Sequence, residues 1–275
     1  MTTTTTTHAP PPSPAPFSRP QPVPNAPGRV LLEARGLCAW YGAAQILHGV
    51  DLDVCAGEVV ALMGRNGAGK STTLKALIGL LGPRGRRGGA VRFMGRDIAG
   101  AEPHEAARRG LGYVPEDRRI FTDLSVLENL EVGRQPARRR PGDGADAAPA
   151  PAWTPERLFA LFPNLGEMPR RAGGRMSGGE QKMLTVARTL MGNPWVVLLD
   201  EPSEGVAPVI VEQMAGMILA LKAEGVSILL SEQNTRFAAL VADRACVLEK
   251  GEVRFRGSMA ELAANAEVRR QFLDL

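Results

Sequence analysis

The stretch Gly64-Arg-Asn-Gly-Ala-Gly69-Lys70-Ser71 fits the P-loop pattern, which predicts a strand before it and a helix after it. An apolar run at Glu58–Met63 predicts a buried strand before it, and helical spacing predicts an amphipathic helix after it (Leu74, Leu77, Ile78, Leu81). Glycines let the backbone curl so that its N–H groups face phosphates, and a helix N-terminus adds the positive end of its dipole. We therefore predict a nucleotide site in which Lys70 reaches the β- and γ-phosphates and Ser71 ligates Mg²⁺.

A second apolar run, Trp195–Leu199, predicts a buried strand that ends in two carboxylates, Asp200 and Glu201. Beside a P-loop, the first carboxylate is placed to hold Mg²⁺ through water, and the second can act as general base on the attacking water. A simple helix cap is the competing interpretation of such a pair, and the upstream P-loop makes it the weaker one.

The segment Met176-Ser177-Gly178-Gly179-Glu180-Gln181 separates the candidate functions that a P-loop alone leaves open. Ser and two Gly at a predicted helix start make a second anion-binding N-terminus. Two phosphate sites in one chain suggest that each serves a different nucleotide, so a homologous chain facing it head-to-tail would complete the site. The alternative is that these residues only begin a helix, with Ser as its N-cap and Gly as spacing residues, and bind no anion.

Strands and helices alternate outward from these motifs. Alternating apolar residues at Val50–Val54 predict a half-buried strand, and further strands are predicted at Val226–Leu230 and Ala245–Leu248. Two more helices are predicted around Met183–Met191 and Ile210–Leu221, the latter ended by Gly225, and Ser258–Glu261 is a capping box. Strands spaced by helices predict an α/β fold with a parallel core sheet.

Composition sets limits on the rest of the chain. Residues 1–28 are rich in Thr and Pro and are expected to be disordered, and about 135–152 is expected to form a flexible surface insertion. The net charge is +4 and aromatic residues make up 5% of the chain, which argues against nucleic acid as a partner. The three cysteines show no metal-binding spacing and are expected to be small core residues (Cys38, Cys55, Cys246). No apolar run approaches the length of a membrane helix, so membrane association is expected to come through a partner.

The three motifs together resemble the signature of ABC ATPases, over about residues 30–275. The resemblance implies a P-loop NTPase with a RecA-like core, an antiparallel β-subdomain and an inserted helical subdomain at about 96–190. It implies that two such domains enclose two ATP molecules, and that Ser203–Val206 touches the opposite site. The residues that it assigns to the bound ATP and Mg²⁺ are Gly64, Arg65, Asn66, Gly67, Ala68, Gly69, Lys70, Ser71 and Thr72, with Tyr41 stacking on adenine. The residues that it assigns to the opposite ATP are Ser177, Gly178, Gly179 and Glu180.

Two positions depart from the general pattern of that family. Glu116, in Tyr113-Val-Pro-Glu116, stands where glutamine is usual, and Gln233 stands where histidine is usual. Gln233 can donate a hydrogen bond to the γ-phosphate but cannot titrate. Glu116 can accept from the attacking water or help to hold Mg²⁺, although its charge opposes phosphate unless metal intervenes. We expect both to be catalytic together with Glu201, and Mg²⁺ to be held by Ser71, Asp200 and Glu116.

The same departures resemble one branch, the importer ATPases for branched-chain amino acids. The residues that carry this resemblance are Val114–Phe121, Leu161–Pro163, Asp200–Pro208 and Glu232–Asn234. It implies two transmembrane permease subunits, a second and different ATPase subunit, a periplasmic or extracellular solute-binding protein, and a peripheral place on the cytoplasmic face of the inner membrane. Importers of urea and short amides share much of the pattern. A soluble ABC ATPase, a P-loop kinase and a subunit that binds ATP without hydrolysing it are the remaining alternatives.

Overall fold

The computed structural model describes residues 28–138 and 152–273. The expected disorder of residues 1–28 and the interior of the insertion at about 135–152 therefore lie outside the described residues. Ten strands are described: β1 (Val30–Tyr41), β2 (Ala44–Cys55), β3 (Val59–Met63), β4 (Gly85–Phe93), β5 (Arg96–Asp97), β6 (Leu111–Val114), β7 (Val196–Asp200), β8 (Ser227–Glu232), β9 (Arg244–Glu249) and β10 (Glu252–Ser258).

The described α-helices are α1 (Lys70–Ile78), α2 (Pro103–Arg108), α3 (Val126–Val132), α4 (Pro155–Leu161), α5 (Pro163–Gly166), α6 (Gly178–Leu190), α7 (Pro208–Ala223), α8 (Thr235–Val241), α9 (Met259–Ala264) and α10 (Ala266–Phe272), with a 3-10 turn at Gly173–Arg175. No helix within residues 28–138 and 152–273 has the length and apolarity needed to cross a membrane.

The strands form two sheets. The smaller is antiparallel, in the order β2-β1-β4-β5. The larger has the order β10-β9-β3-β8-β7-β6, and its strands are parallel except for the antiparallel β9–β10 pair. All residues of β3 and β7 are buried, as expected for parallel strands covered on both faces. The predicted α/β fold with an antiparallel second sheet is confirmed.

The register of the large sheet brings distant loops to one edge. Met63 at the end of β3 pairs with Glu232 at the end of β8. Asp200 at the end of β7 pairs with Ser231. Since parallel strands end on the same side of a sheet, the segments after β3, β6, β7 and β8 converge there. Every sequence motif that we connect with phosphate chemistry, apart from Ser177–Glu180, follows one of these four strands.

The predicted helix after the P-loop is shorter than its apolar spacing suggested. It ends at Ile78, because Gly79 adopts a left-handed conformation (φ +87°) and donates its N–H to the carbonyl of Lys75. Leu81 is still buried, although it lies beyond the helix end. The capping box at Ser258–Glu261 is present as predicted and begins α9. Of the cysteines, only Cys246 is buried, while Cys38 and Cys55 are half-buried on strands, so the prediction of three core cysteines was wrong for two of them.

The range 96–190 contains strands as well as helices. β5 belongs to the antiparallel sheet and β6 to the parallel sheet, so the wholly helical part starts at α3. The described ends of the predicted insertion are anchored: the N–H of Gln135 donates to the carbonyl of Met191, and the Arg138 guanidinium donates to the carbonyl of Asn193.

Arg244 at the start of β9 ties the two sheets together. Its Nε donates to Glu58 Oε1 at 2.5 Å, and its Nη2 donates to Asp53 Oδ2 at 2.7 Å. The hydrogen bond with Glu58 is the main reason that the pKa of Arg244 is raised. Arg244→Met should lower the free energy of unfolding in urea by about 2 kcal/mol, because two partly buried carboxylates lose their donor. The exposed Arg254, paired with Glu252, provides the control: Arg254→Met should cost less than about 1 kcal/mol, and equal losses would contradict the assignment.

Candidate ATP site

The loop between β3 and α1 has the backbone that the P-loop prediction requires. Gly64, Gly67 and Gly69 all have positive φ values, of +151°, +78° and +107°. Gly69 is the N-cap of α1, and no side chain caps this helix. The first N–H groups of a helix lack partners within it, so those of α1 are available to an anion held by the loop.

Gly64 is the position in this loop where a side chain is least tolerable. A Cβ there would lie 2.3 Å from the carbonyl oxygen of Leu248, which is backbone and cannot move aside. At Gly67 nothing lies within 4 Å of the same atom. Gly64→Ala should lower the free energy of unfolding by about 3 kcal/mol, from left-handed strain and overlap together. Gly67→Ala, which carries the strain alone, should cost about 1 kcal/mol in the same urea titration, and a reversed order would contradict this backbone geometry.

Lys70 is buried and turns back over its own loop. Its Nζ donates to the carbonyls of Gly64 (2.9 Å) and Arg65 (3.1 Å). The same nitrogen lies 3.0 Å from Oε1 of Glu201, with side-chain exposures of 3% and 7%. The two predicted motifs therefore meet through a buried ion pair, although 131 positions separate them in the sequence (201 − 70).

The Asp200 carboxylate accepts hydrogen bonds from three hydroxyl groups that belong to three different segments. Ser71 Oγ donates to Oδ1 at 2.9 Å, Ser231 Oγ donates to Oδ1 at 2.7 Å, and the Tyr113 hydroxyl donates to Oδ2 at 3.1 Å. Burial and the nearby Asp200 charge raise the pKa of Tyr113, so its proton stays on the hydroxyl. The contact between Ser71 and Asp200 places a hydroxyl and a carboxylate together, which are the oxygen ligands that Mg²⁺ prefers. The residues present therefore fit the predicted metal.

Glu201 follows β7 in a left-handed conformation with φ +44°. Its Oε2 accepts from Gln233 Nε2 at 2.9 Å, and its N–H donates to the carbonyl and hydroxyl oxygens of Ser231 (3.1 and 3.0 Å). Burial acts to raise the pKa of Glu201, but hydrogen bonds from Glu204, Gln233 and Lys70 outweigh it and lower the pKa. The hydrogen bond with Glu201, together with burial, raises the pKa of the neighbouring Glu204 to about 7.

Gln233 connects this carboxylate with the P-loop. Its Nε2 also donates to Asn66 Oδ1 at 2.7 Å. The preceding Glu232 is buried, and its Oε1 accepts from Ser203 Oγ and from the N–H groups of Gln233 and Asn234. The buried Glu232 carboxylate thus holds the turn that places Gln233 between the two motifs.

The side chains of Glu116 and Tyr41 remain apart from this cluster, and the other predicted residues of the P-loop differ in their exposure. Glu116 is exposed, and its carbonyl accepts a hydrogen bond from Lys182 Nζ at 3.3 Å. In the part of the chain that the structure describes, no hydrogen bond joins the Glu116 carboxylate to Ser71 or Asp200, so its place among the Mg²⁺ ligands stays a prediction. Tyr41 lies at the exposed end of β1, on the hairpin whose Leu47 packs against Gly69. Arg65, Asn66 and Gly67 are exposed, Ala68 is buried, and Thr72 is half-buried on α1.

The segment Ser177–Glu180 begins α6 as predicted. Ser177 is the N-cap, its hydroxyl accepts from the N–H of Glu180, and the Glu180 carboxylate accepts from the N–H of Ser177 at 2.7 Å. Gly179 packs against Ile210 of α7, where a Cβ would come within 2.9 Å. Within the described residues, no hydrogen bond joins Ser177–Glu180 to the Lys70–Asp200 cluster, so a role for this segment at the chain's own P-loop has no contact to support it.

Three residues in or beside the site received no role from their sequence patterns. Tyr113 and Ser231 are the penultimate residues of the strands on either side of β7, and only the strand order reveals that their hydroxyls reach Asp200. Lys182 is 2% exposed and hydrogen-bonds the carbonyl of Glu201 at 2.9 Å. Its one sequence signal is a charged residue on the largely apolar buried face of α6.

Comparisons with known proteins agree with this geometry. Residues 47–204 match the family model described as ABC transporter. The chain is 41% identical over 234 residues to the high-affinity branched-chain amino acid transport ATP-binding protein BraG of Pseudomonas aeruginosa, covering 85% of this chain and 95% of BraG. It is 32% identical to the lipopolysaccharide export system ATP-binding protein LptB of Acidithiobacillus ferridurans, over 88% and 96% of the two chains.

Solved structures show the same relationship. The ADP conformation of an ATP-binding cassette of an ABC transporter superposes with a TM-score of 0.70, at 26% identity, and covers 88% of this chain and 97% of that one. The family match, the relatives and the P-loop geometry lead to one conclusion. The chain belongs to the ABC transporter family, as an ATP-binding and ATP-hydrolysing subunit.

Proposed function

We propose that this ATPase powers the uptake of branched-chain amino acids through partner permeases. The observation that carries the proposal is the 41% identity with BraG over nearly the whole length of both chains. The residues at 114–121, 200–208 and 232–234 support it, because they resemble the same importer branch. The relatives at 32% identity include an export ATPase, so export of a lipid is the second candidate.

For hydrolysis, we propose that Glu201 accepts a proton from the attacking water. Its carboxylate is held by Gln233 and Lys70 at about hydrogen-bond distance, and its lowered pKa keeps it ionised at neutral pH. Bound ATP would draw Lys70 towards its phosphates, which frees one carboxylate oxygen of Glu201 for water. Gln233, already linked to Asn66 of the P-loop, would then sense the γ-phosphate by donating its amide N–H.

Ser71 and Asp200 would hold Mg²⁺, since their oxygens already meet. The metal would neutralise charge on the phosphates. Tyr113 and Ser231 orient the Asp200 carboxylate by hydrogen bonds to its two oxygens. Glu116 would join these ligands only if its exposed carboxylate turned towards Asp200, while its carbonyl stays bound to Lys182.

We propose that Ser177, Gly178, Gly179 and Glu180 bind the ATP held by a second ATPase subunit. The N-terminus of α6 is separate from the chain's own P-loop, so a second nucleotide-bearing chain would supply its ligand. Tyr41 would stack on adenine from the hairpin beside Gly69. Resemblance to the importer branch favours a different, not identical, second subunit.

A groove of about 630 Å³ offers a place for a permease segment. Phe121 and Val132 are exposed apolar residues on its wall, and the Arg188 guanidinium lies 5.1 Å over the Phe121 ring. Arg108 and Arg119 add positive charge. An amphipathic helix with an acidic residue would complement this surface. We propose that one of two permease subunits docks here, that the permeases hold the protein at the cytoplasmic face of the membrane, and that an extracytoplasmic solute-binding protein delivers the cargo.

The test is transport in membrane vesicles that contain the candidate permeases, the solute-binding protein, the second ATPase subunit and this chain. Uptake of radiolabelled leucine, isoleucine and valine should require ATP and should stop with Glu201→Gln. Urea and acetamide serve as competing cargoes, and release of lipopolysaccharide tests export. ATP-dependent uptake of urea but not leucine would show that the cargo is a short amide and not a branched-chain amino acid. Release of lipopolysaccharide without any uptake would overturn the proposal of an importer.

A further inference from the structure

Lys182 is a buried ammonium group that the roles proposed above leave unexplained. It lies on α6, five positions after Ser177, and is 2% exposed. Its Nζ donates to two backbone carbonyls, that of Glu201 at 2.9 Å and that of Glu116 at 3.3 Å. It forms no salt bridge within residues 28–138 and 152–273.

The energetic cost of this arrangement argues for a specific role. Taking an ammonium group out of water costs free energy, and contacts with carbonyl oxygens offset this cost less well than a contact with a carboxylate does. Burial accordingly lowers the pKa of Lys182, although the charges of Glu116 and Asp200 act in the opposite direction. A methionine would fill a similar volume without this cost. Packing alone therefore does not call for a lysine at this position.

The residue that Lys182 holds is the proposed general base. Glu201 has a left-handed backbone, which costs about 1–2 kcal/mol in a residue with a Cβ. Its N–H is bound by Ser231 on one side, and its carbonyl is bound by Lys182 on the other. These two contacts hold the peptide groups before and after Glu201 in place. They thereby direct its side chain towards Lys70 and Gln233.

The same ammonium group joins three segments. Lys182 comes from the helix that begins with the signature, Glu116 follows β6, and Glu201 follows β7. A shift of α6 relative to the large sheet would lengthen the bond to the Glu201 carbonyl before it affected the side chain of Glu201. The contact can therefore transmit the position of the signature helix to the carboxylate.

We infer that Lys182 is a positioning residue for Glu201, which holds the Glu201 carbonyl and thereby couples the signature helix to the geometry of ATP hydrolysis. The inference rests on the proposed role of Glu201 as general base. It requires that loss of Lys182 lowers the hydrolytic rate while ATP binding is retained, because the hydrogen bonds of Lys182 within the described residues go to Glu201 and Glu116 and not to the P-loop.

The test compares Lys182→Met, Lys182→Arg and the native full-length chain by kcat, KM for ATP, affinity for a non-hydrolysable ATP analogue, and Tm. Lys182→Met should lower kcat by about tenfold or more, since small displacements of a catalytic group are costly, with KM and analogue affinity within about twofold of native. Lys182→Arg keeps N–H donors and should recover much of the lost kcat. Lys222→Met is the matched control: Lys222 pairs with Asp243 at the opposite edge of the sheet, and its loss should leave kcat unchanged.

Three results would overturn the inference. These are a native kcat in Lys182→Met, a loss of ATP affinity that matches the loss of kcat, and an arginine variant no more active than the methionine variant. If Lys182→Met does not fold, Lys182→Gln, which keeps one amide donor, takes its place with the same criteria.

A double variant separates the inference from the function on which it rests. In the Glu201→Gln background, Lys182→Met should change the residual single-turnover rate little, because a positioning residue acts through the group that it positions. If Lys182→Met lowers the rate by the same factor in the Glu201→Gln background as in the native chain, Lys182 acts independently of Glu201 and the inference is overturned. Native turnover by Glu201→Gln alone would instead overturn the proposed role of Glu201, whatever the Lys182 variants do.

Discussion

Glu201→Gln is expected to lower the rate of ATP hydrolysis by about 10²–10⁴-fold while ATP binding is preserved, which is the range for loss of a general base. The amide keeps the size of the carboxylate and can still accept a hydrogen bond from Gln233. It cannot accept a proton from water. The variant also removes the negative charge that lies 3.0 Å from Lys70, so the lysine is free to meet phosphate and affinity for ATP should be unchanged or higher.

Phosphate release and binding of a fluorescent ATP analogue, measured on the same preparation, test this expectation. Glu224→Gln is the matched control, because Glu224 pairs with Arg157 near the amino ends of the parallel strands, away from the P-loop. It should hydrolyse ATP at the native rate. A Glu201→Gln variant with unchanged turnover, or one that no longer binds ATP, would rule out the general-base assignment.

Lys70→Met is expected to abolish ATP binding and also to destabilise the nucleotide-free protein by about 3 kcal/mol. The second effect follows from the buried ion pair, since removal of the ammonium leaves the Glu201 carboxylate without its charged partner. Lys222→Met provides the comparison in a partly exposed pair, whose side chains are 32% and 30% accessible. That change should cost no more than about 1 kcal/mol, because water screens the pair.

The loss in Lys70→Met should depend on pH in a definite direction. Loss of Lys70 removes one of the hydrogen bonds and the positive charge that lower the pKa of Glu201, while burial remains, so the pKa of Glu201 should rise in the folded variant. A carboxyl with a raised folded pKa binds protons more readily when folded, and its penalty is largest above that pKa. The destabilisation should therefore be full at pH 7 and should shrink as the pH falls towards 4.

Urea titrations of both variants at the two pH values measure the effect. The double variant Lys70→Met/Glu201→Gln should recover most of the lost stability at pH 7, because it leaves no unpaired buried charge. If Lys70→Met costs no more than Lys222→Met and is insensitive to pH, the buried pair does not contribute to the stability of the nucleotide-free protein.

Local patterns in the sequence were sufficient for the fold class and for most of the site. Glycine spacing between an apolar run and a helix predicted the loop at Gly64–Ser71, and a strand ending in two carboxylates predicted Asp200 and Glu201. The serine before two glycines predicted the start of α6. Each of these signals lies within about ten neighbouring residues, where backbone conformation, burial and charge are encoded by adjacent side chains.

Helix ends and the detailed roles of the loops could be predicted less well from the sequence. Leu81 continued the apolar spacing of α1, but the left-handed conformation of Gly79 ended the helix earlier. Glu116 was predicted to act through its side chain, which stays a prediction, and the hydrogen bond from Lys182 to its backbone carbonyl had no signal in the sequence. Both cases depend on a competition between local preference and tertiary packing, which a linear pattern does not resolve.

Local sequence patterns established the P-loop spacing at Gly64–Ser71, the carboxylate pair after an apolar run and the helix start at the signature. Only the folded chain shows that Lys70 meets Glu201, that Tyr113 and Ser231 hold Asp200, and that Lys182 hydrogen-bonds the carbonyl of Glu201. These contacts depend on the register of the parallel strands, which brings together groups from distant parts of the chain. Burial then makes those contacts strong, because the same charges would interact only weakly in water.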